Sequence, residues 1–405
     1  MLAETDNATD RARPERFVRE VRTKNQAFYA TDRGQGVLKD LQQTFRHPWL
    51  YVGGLLQNAV DAGAKRIRLD VDETTRSLVV EHDGAAFDEE HVEALCVRGM
   101  SKKGAGTVGF MGIGFEAVFQ SFECVDVSSG PWRFGFRVSE DVGEFGDRQR
   151  KWLGCVLPEY SDTIEAPSDG MTCRFFLHKR LERPGPIADD VTKVLSPDLL
   201  VLALLARRGV EEVEWAGEHW LLEQTEHAID GQTSRVVLTA YHDNSGGTRQ
   251  WVLFSARYEP TRSAIARFLE HRQIQPRPEE RDAVYAKARR ERTVEVFCPL
   301  DEHGFPQPPR RGQAYALLAT GVNVPLGLHV QADRLLVTSR REIMEVETNE
   351  WHREILATRL RRDLAELLPA ERRQHVLIEV LLVLLARAGP RLSSRRTRFS
   401  RPAPC

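Results

Sequence analysis

Two side chains that could hold a nucleotide lie one helical turn apart, at Asn58 and Asp61. Residues three apart share a helical face, so the carboxamide and the carboxylate would point to the same side. Oxygen ligands of this kind suit Mg²⁺, which keeps several waters and bridges phosphates. A lone Asn in a helix is more often a surface residue, so the pair needs supporting features.

A carboxylate and a run of glycines provide those features. Asp83 follows a strand-like stretch and precedes Gly84. Farther along, the glycines of the Gly109 to Gly114 stretch would let backbone N–H groups approach an anion. A helix that begins near Gly114 would add the positive end of its dipole. Alone, each feature has an ordinary explanation as a turn or packing motif, but together they predict a nucleotide pocket.

The elements that must position these residues can be read from periodicity and from breaker residues. Pro48 and Gly63 suit the first turn and the end of a helix that carries Asn58. Alternating and apolar stretches indicate strands, and helical spacing indicates a helix between Asp83 and the glycines. The predicted strands are 66–71, 77–81, 122–128, 132–138 and 152–157, and the predicted helix is 89–95.

These segments resemble the N-box and the two glycine boxes of the GHKL ATPase superfamily, which includes gyrase, the ninety-kilodalton heat-shock chaperones, histidine kinases and MutL. The stretch Gln57-Asn58-Ala59-Val60-Asp61-Ala62-Gly63-Ala64 is most similar to the heat-shock and sacsin-like branch. The resemblance covers residues 15–180. It implies an α+β protein whose Bergerat-fold domain is an α/β sandwich, with ATP between the helices and one face of a mixed sheet.

The resemblance also implies roles for single residues. Asn58 would ligand Mg²⁺, Asp83 would accept a hydrogen bond from the adenine amino group, and Gly84 would give the base room. Asp61 would hold Asn58 or a pocket water, or merely cap local backbone. An ordinary turn is the alternative for Asp83.

Further positions of the family pattern surround the phosphates and the base. Thr172 would contact the adenine edge through water, although a threonine on a strand is expected anyway. Lys102 would reach a phosphate from a covering loop, or belong to a solvated basic loop. The phosphate cradle would be formed by the residues of the last glycine box and its flank, Gly109, Gly112, Ile113, Gly114 and Phe115.

One position departs from the family pattern. Four residues before Asn58 the family has a glutamate that acts as general base on the attacking water, and here that residue is Gly54. Glycine cannot accept a proton, and a general base typically contributes about 10²–10⁴-fold to a rate. We therefore expect ATP binding with slow hydrolysis, or binding without hydrolysis.

The sequence Arg183-Pro184-Gly185-Pro186 predicts a linker that ends a first domain at residues 14–182. A transducer-like α+β domain is expected at 187–345. Its end resembles a sacsin-type segment, which implies that Arg340 or Arg341 reaches the γ-phosphate through a bidentate guanidinium contact. A surface position is the alternative for both arginines.

The remaining segments and the composition complete the predicted organisation. Residues 1–13 are expected to lack structure, 346–388 to form C-terminal helices, and 389–405 to be a disordered basic tail. The net charge of −2 gives no field that favours nucleic acid, so no nucleic-acid partner is expected. Six cysteines without a Cys-x-x-Cys pair predict free thiols in a cytoplasmic protein, and no signal peptide or membrane span is expected.

Two functions remain open from the sequence. The first is an ATP-driven switch of the chaperone or assembly type, which binds and releases ATP and ADP with Mg²⁺. The second is a non-hydrolysing nucleotide sensor within a larger complex, for example in stress or anti-phage defence. A homodimer or a hetero-complex would suit either function. In the chaperone branch the N-terminal segment packs near the nucleotide lid or exchanges between protomers, and a helix packed on its own domain is the alternative for residues 15–29.

Overall fold

The computed structural model describes most of the first 332 residues, and all structural statements below concern them. The described ranges are 3–44, 49–96, 115–138, 152–181, 185–195, 200–228, 233–243, 246–259, 292–305, 307, 312–316, 318–324 and 329–332, with single positions between 262 and 285.

Helices precede and interrupt the strands. The α-helices are α1 (Ala3–Tyr29), α2 (Asp32–Thr44), α3 (Leu50–Asp61), α4 (Glu89–Cys96), α5 (Ile187–Leu195) and α6 (Leu200–Arg207), and 3₁₀ helices span Phe115–Gln120 and Gly154–Val156. The strands are β1 (Arg66–Asp72), β2 (Ser77–His82), β3 (Phe122–Ser129), β4 (Trp132–Arg137), β5 (Glu159–Tyr160), β6 (Cys173–Arg180), β7 (Glu212–Trp215), β8 (Glu218–Ala228), β9 (Thr233–His242), β10 (Thr248–Tyr258), β11 (Arg292–Leu300), β12 (Gly312–Ala316), β13 (Leu318–Val324) and β14 (His329–Ala332).

All of these strands belong to one open mixed sheet of 14 strands. Their order is β13-β12-β14-β11-β10-β9-β8-β7-β1-β2-β6-β3-β4-β5. The β1–β7 and β12–β14 pairs are parallel, and the other neighbours are antiparallel.

The fold class expected from the sequence is therefore wrong. A Bergerat-type α/β sandwich followed by a separate transducer-like domain would need two sheets, whereas the described chain forms a single one. The two expected halves join at β1, whose residues 66–69 pair in parallel with 212–215 of β7. This pairing joins strands that are far apart in sequence, so local periodicity does not predict it.

Two local expectations also differ from the structure. Helix α1 begins at Ala3, inside the segment expected to lack structure, and continues through Pro14 to Tyr29. The stretch 152–157, expected to be a strand, contains helical turns instead. Its buried Cys155 and Val156 pack in the core beside α4, so burial rather than strand pairing explains the apolar residues there.

Strand alternation divides the sheet around β1 into a core face and a polar face. On β1, Ile67 and Leu69 are buried in the core cluster together with Leu55, Leu56 and Ala59 of α3. The intervening Arg68 is partly exposed and pairs with Glu214 of β7 at 2.8 Å. The core face of the sheet therefore lies toward α3, and charged pairs occupy the opposite face.

A buried ion pair ties the two expected domains together across the predicted linker. Arg180 at the end of β6 contacts Asp190 of α5 at 2.9 Å, and their side chains are only 3% and 4% exposed. The Tyr51 hydroxyl of α3 lies 3.3 Å from the same carboxylate oxygen. Burial, and the Asp190 charge after it, raise the pKa of Tyr51, which keeps the hydroxyl protonated and available as a donor.

None of the helices in the described ranges combines the length and the apolar character needed to cross a bilayer.

The Asp190→Ala substitution should destabilise the protein by about 3–5 kcal/mol, because it leaves the buried Arg180 guanidinium without its counter-ion. Urea unfolding followed by circular dichroism measures this loss. The matched control is Glu211→Ala, which breaks an exposed ion pair with Lys65 and should cost at most about 1 kcal/mol. Equal effects of the two substitutions would show that the buried pair does not hold the halves together.

Candidate functional site

The end of β2 is a junction at which several predicted site residues meet. The Oδ1 atom of Asp83 accepts hydrogen bonds from the backbone N–H groups of Lys65 and Arg66, each at 2.8 Å. Its Oδ2 atom accepts a third from Nε of Arg66 at 3.0 Å. Asp83 thus fixes the beginning of β1.

The same contacts set the charge of Asp83. Partial burial acts to raise its pKa, but the backbone and side-chain hydrogen bonds from Arg66 and the backbone bond from Lys65 outweigh that effect. The pKa therefore lies below its ordinary value, and the side chain is a carboxylate at neutral pH. Three of its acceptor positions are used inside the protein, which favours the turn interpretation of Asp83 left open above.

Gly84 brings the junction against the end of α3. A Cβ atom placed on Gly84 would lie 2.7 Å from the carbonyl oxygen of Ala62. That oxygen accepts a hydrogen bond from the N–H of Ala85 at 2.8 Å. Because a backbone oxygen cannot swing away as a long side chain can, the approach requires glycine. Gly84 is therefore a site of close backbone packing, with α3 as the neighbour.

Thr172, the residue before β6, also contacts this junction. Its N–H donates to the carbonyl oxygen of His82 at 3.0 Å. Its hydroxyl contacts the carbonyl oxygens of both Gly84 and His82. The structure thus brings Asp83, Gly84 and Thr172 together, and the Thr172 hydroxyl holds the turn.

Helix α3 lies beside this junction with Asn58, Asp61 and Gly54. Asn58 is half-buried in its last full turn, and its carbonyl oxygen accepts the N–H of Ala62 at 3.0 Å. Asp61, also half-buried, is the final residue of the helix. Gly54 lies within a run of buried residues from Leu50 to Gln57. The position expected to carry a general base therefore faces the protein interior.

Phe115 begins the 3₁₀ helix at Phe115–Gln120 and contributes to an aromatic cluster. Its ring lies 5.4 Å from that of Phe136 and 6.0 Å from that of Phe175, and its side chain is buried. Any contact of this residue with a phosphate would therefore use its backbone. The other predicted residues of the phosphate and γ-phosphate contacts lie outside the described residues: Lys102, Gly109, Gly112, Ile113, Gly114, Arg340 and Arg341.

His82, the last residue of β2, is a buried residue of the junction that the sequence motifs did not predict. Its side chain is 1% exposed, and Nδ1 accepts the N–H of Gly84 at 3.3 Å. Within the described part of the chain its Nε2 atom is buried and has no hydrogen-bond partner. A buried donor left unpaired costs about 1–3 kcal/mol. The signal available in the sequence was strand parity, since His82 falls on the same face of β2 as Val80 and Leu78.

Burial also sets the protonation state of His82. Desolvation lowers its pKa to about 4, although attraction to the neighbouring Asp83 carboxylate acts in the opposite direction. The imidazole is therefore neutral at physiological pH. Since Nδ1 accepts a hydrogen bond, the single ring proton of the neutral form is on Nε2.

Comparisons with known proteins identify no family for the chain. No protein-family model matches the sequence, and a search of curated proteins returns no significant match.

Stability should fall as the pH is lowered from about 6.5 to about 4, because the unfolded chain takes up the His82 proton while the folded protein resists it. The neutral ring contributes fully above pH 6.5, and a shift of this size corresponds to a loss of about 3 kcal/mol by pH 4. Urea unfolding of the wild type and of His82→Asn across this range measures the difference. Parallel stability profiles for the two proteins would contradict the assignment.

Proposed function

We propose that the chain binds Mg·ATP beside the end of β2 and hydrolyses it slowly. One observation carries this proposal: the end of α3 and Thr172 meet at Gly84, since the carbonyl oxygen of Ala62 lies 2.8 Å from the N–H of Ala85 and the Thr172 hydroxyl donates to the carbonyl oxygen of Gly84. The family resemblance assigns these same segments to one nucleotide site. Binding here does not need a self-contained helix-over-sheet domain, because only β1, β2, β6 and α3 form the junction.

The donor set at α3 fits a magnesium nucleotide. The carboxamide oxygen of Asn58 is the kind of hard ligand that Mg²⁺ takes alongside water and phosphate oxygens. The cation would bridge the phosphates and neutralise their charge. Asp61 lies one turn along the same face and would hold Asn58 or a water. Gly109, Gly112, Gly114, Ile113 and Lys102 remain predicted phosphate contacts, and Arg340 and Arg341 remain predicted γ-phosphate contacts.

A second candidate function is nucleotide sensing without hydrolysis. The specific observation in its favour is the burial of Gly54, which lies in the α3 interior and carries no group that accepts a proton. Phosphoryl transfer depends mainly on positioning and charge, so a missing base slows turnover and leaves binding intact. In this function the bound state itself would be the signal, passed on to a homodimer partner or to other subunits of a complex.

A cytoplasmic location is part of the proposal. It rests on the cysteines, since Cys96, Cys124, Cys155, Cys173 and Cys298 are free and buried in the described ranges. Free thiols persist in a reducing compartment.

The Asn58→Ala substitution should weaken the Mg²⁺-dependent affinity for ATP by about tenfold or more, because the cation loses its protein ligand. Isothermal titration calorimetry with ATP or ADP, with and without Mg²⁺, measures the change. Gln26→Ala is the control, since it removes a carboxamide from an exposed position of α1. If wild-type protein binds neither nucleotide in Mg²⁺, the proposed function is wrong.

Replacement of Gly54 by Glu tests the missing base. If Gly54 holds the position of the general base, Gly54→Glu should raise phosphate release by about 10²-fold or more over Gly54→Gln, which has the same shape but does not take up the proton. The Gln variant also reports whether the buried site tolerates a long side chain, through its urea midpoint. Equal turnover by two folded variants would mean that α3 is not oriented as the resemblance implies.

A further inference from the structure

Strand parity places His82 and Asp83 on different sides of the sheet. His82 pairs with Ile67 of β1 and Cys173 of β6, and all three side chains are 1% exposed or less. Ile67 and Cys173 belong to the core cluster that also contains Leu55, Leu56 and Ala59 of α3. Cys173 shares its face of β6 with Phe175, whose ring contacts Phe115 of the 3₁₀ helix that packs on α3. The imidazole is therefore on the α3 side of the sheet, which is the side of the proposed nucleotide.

Asp83 is directed elsewhere. Its carboxylate accepts two backbone N–H groups at the beginning of β1 and the side chain of Arg66, whose other contact is the carbonyl oxygen of Gly170 at 2.7 Å. Arg66 alternates with the buried Ile67, so its side chain belongs to the polar face. A base held between α3 and the sheet would meet His82 before it met the Asp83 carboxylate.

The hydrogen-bonding capacity of His82 is unfilled on that side. Nδ1 is occupied by the Gly84 N–H, so Nε2 carries the proton. Among the described residues this N–H group is fully buried and has no acceptor. Nearly all buried polar groups in proteins have a partner, so an unpaired one calls for a ligand or a water.

We propose that His82, and not Asp83, contacts the base of the bound nucleotide, with Nε2–H donating to an acceptor atom on the purine edge. This assignment rests on the proposed function and names the residue that recognises the base. Thr172 and Gly84 hold the His82 backbone and the adjoining turn, so the ring is supported from β6 and from α3.

A donor at this position has a consequence for specificity. A carboxylate would read the exocyclic amino group of adenine, which is a donor, and would reject a 6-oxo purine. An N–H group requires only an acceptor, and both adenine and 6-oxo purines such as hypoxanthine offer ring-nitrogen acceptors on the base edge. The site would therefore bind purine nucleoside triphosphates without a requirement for the 6-amino group.

Two substitutions separate the functions of the imidazole. His82→Asn keeps an acceptor close to the Nδ1 position and removes the donor at Nε2, whereas His82→Gln keeps a donor close to Nε2. We expect His82→Asn to weaken Mg·ATP binding about tenfold, the effect of losing one hydrogen bond, and His82→Gln to restore most of it. Calorimetry with Mg·ATP and Mg·ITP on the full chain provides both affinities.

A structural effect alone would look different. The urea midpoint at pH 7 shows whether His82→Asn is folded, and the expected loss of nucleotide affinity is measured on the folded protein. Wild type should bind ITP and ATP with comparable affinity, and Asp83→Asn should not change their ratio. Unchanged ATP affinity in a folded His82→Asn protein, or a loss of ITP binding of about tenfold or more in the wild type, would overturn the assignment of His82.

Failure of the proposed function has its own signature. If neither ATP nor ITP binds wild-type protein with Mg²⁺, the site itself is wrong. If both bind and Asn58→Ala weakens them while His82→Asn does not, the site stands and His82 is a core residue.

Discussion

The carboxylate of Asp83 holds the candidate site together. Its bonds to the N–H groups of Lys65 and Arg66 fix the start of β1 against the end of β2. Backbone donors at the start of a strand need partners when they are removed from water, and here one side chain supplies two of them. With this turn fixed, Gly84 packs against Ala62, the residue after α3, and the N–H of Thr172 donates to the carbonyl oxygen of His82.

The same junction extends to the second half of the sheet. The carbonyl oxygen of Lys65 accepts hydrogen bonds from the N–H groups of Glu211 and Glu212, at 2.7 and 3.0 Å. The N–H of Lys65 thus donates to Asp83 in the site, and the carbonyl oxygen of Lys65 positions the start of β7. Because β1 pairs with both β2 and β7, a displacement of Asp83 would also displace β7 in the second half of the sheet. The structure therefore offers a direct physical route between the candidate site and strands beyond residue 210.

Local sequence signals predicted the elements of the site well. The helix carrying Asn58 ends just before Gly63, and the strands predicted at 66–71 and 77–81 extend by one residue each to Asp72 and His82. The features that failed are long-range ones. The pairing of Arg66 with Glu212 and the ion pair of Arg180 with Asp190 depend on residues that meet only after folding, so no local pattern in the sequence predicts them.

Side-chain direction was the second kind of information that spacing did not supply. Asp83 was predicted from its place between a strand and Gly84 and from the resemblance to the first glycine box, whereas parity along β2 places His82 on the face toward α3. The direction of each side chain on a strand follows once the buried face of the strand is known. Tertiary packing decides which face is buried. Residue type therefore pointed to Asp83, whereas the burial pattern points to its neighbour His82 as the residue that faces α3.

Under the proposal, the His82 donor would couple ligand binding to the stability of the fold. Among the described residues Nε2 of His82 is buried without an acceptor, and under the proposal a base with an acceptor atom would remove the cost of that unpaired donor. Any ligand that binds only the folded protein stabilises it by mass action, by about 2.7 kcal/mol when its concentration is a hundred times Kd. Because the junction also fixes β1 and, through Lys65, β7, this stabilisation would be shared by both halves of the sheet. A buried Gly54 in place of a base would then prolong the stabilised state, since slow hydrolysis keeps the nucleotide bound. Such a site would be better suited to reporting the presence of a nucleotide than to rapid turnover.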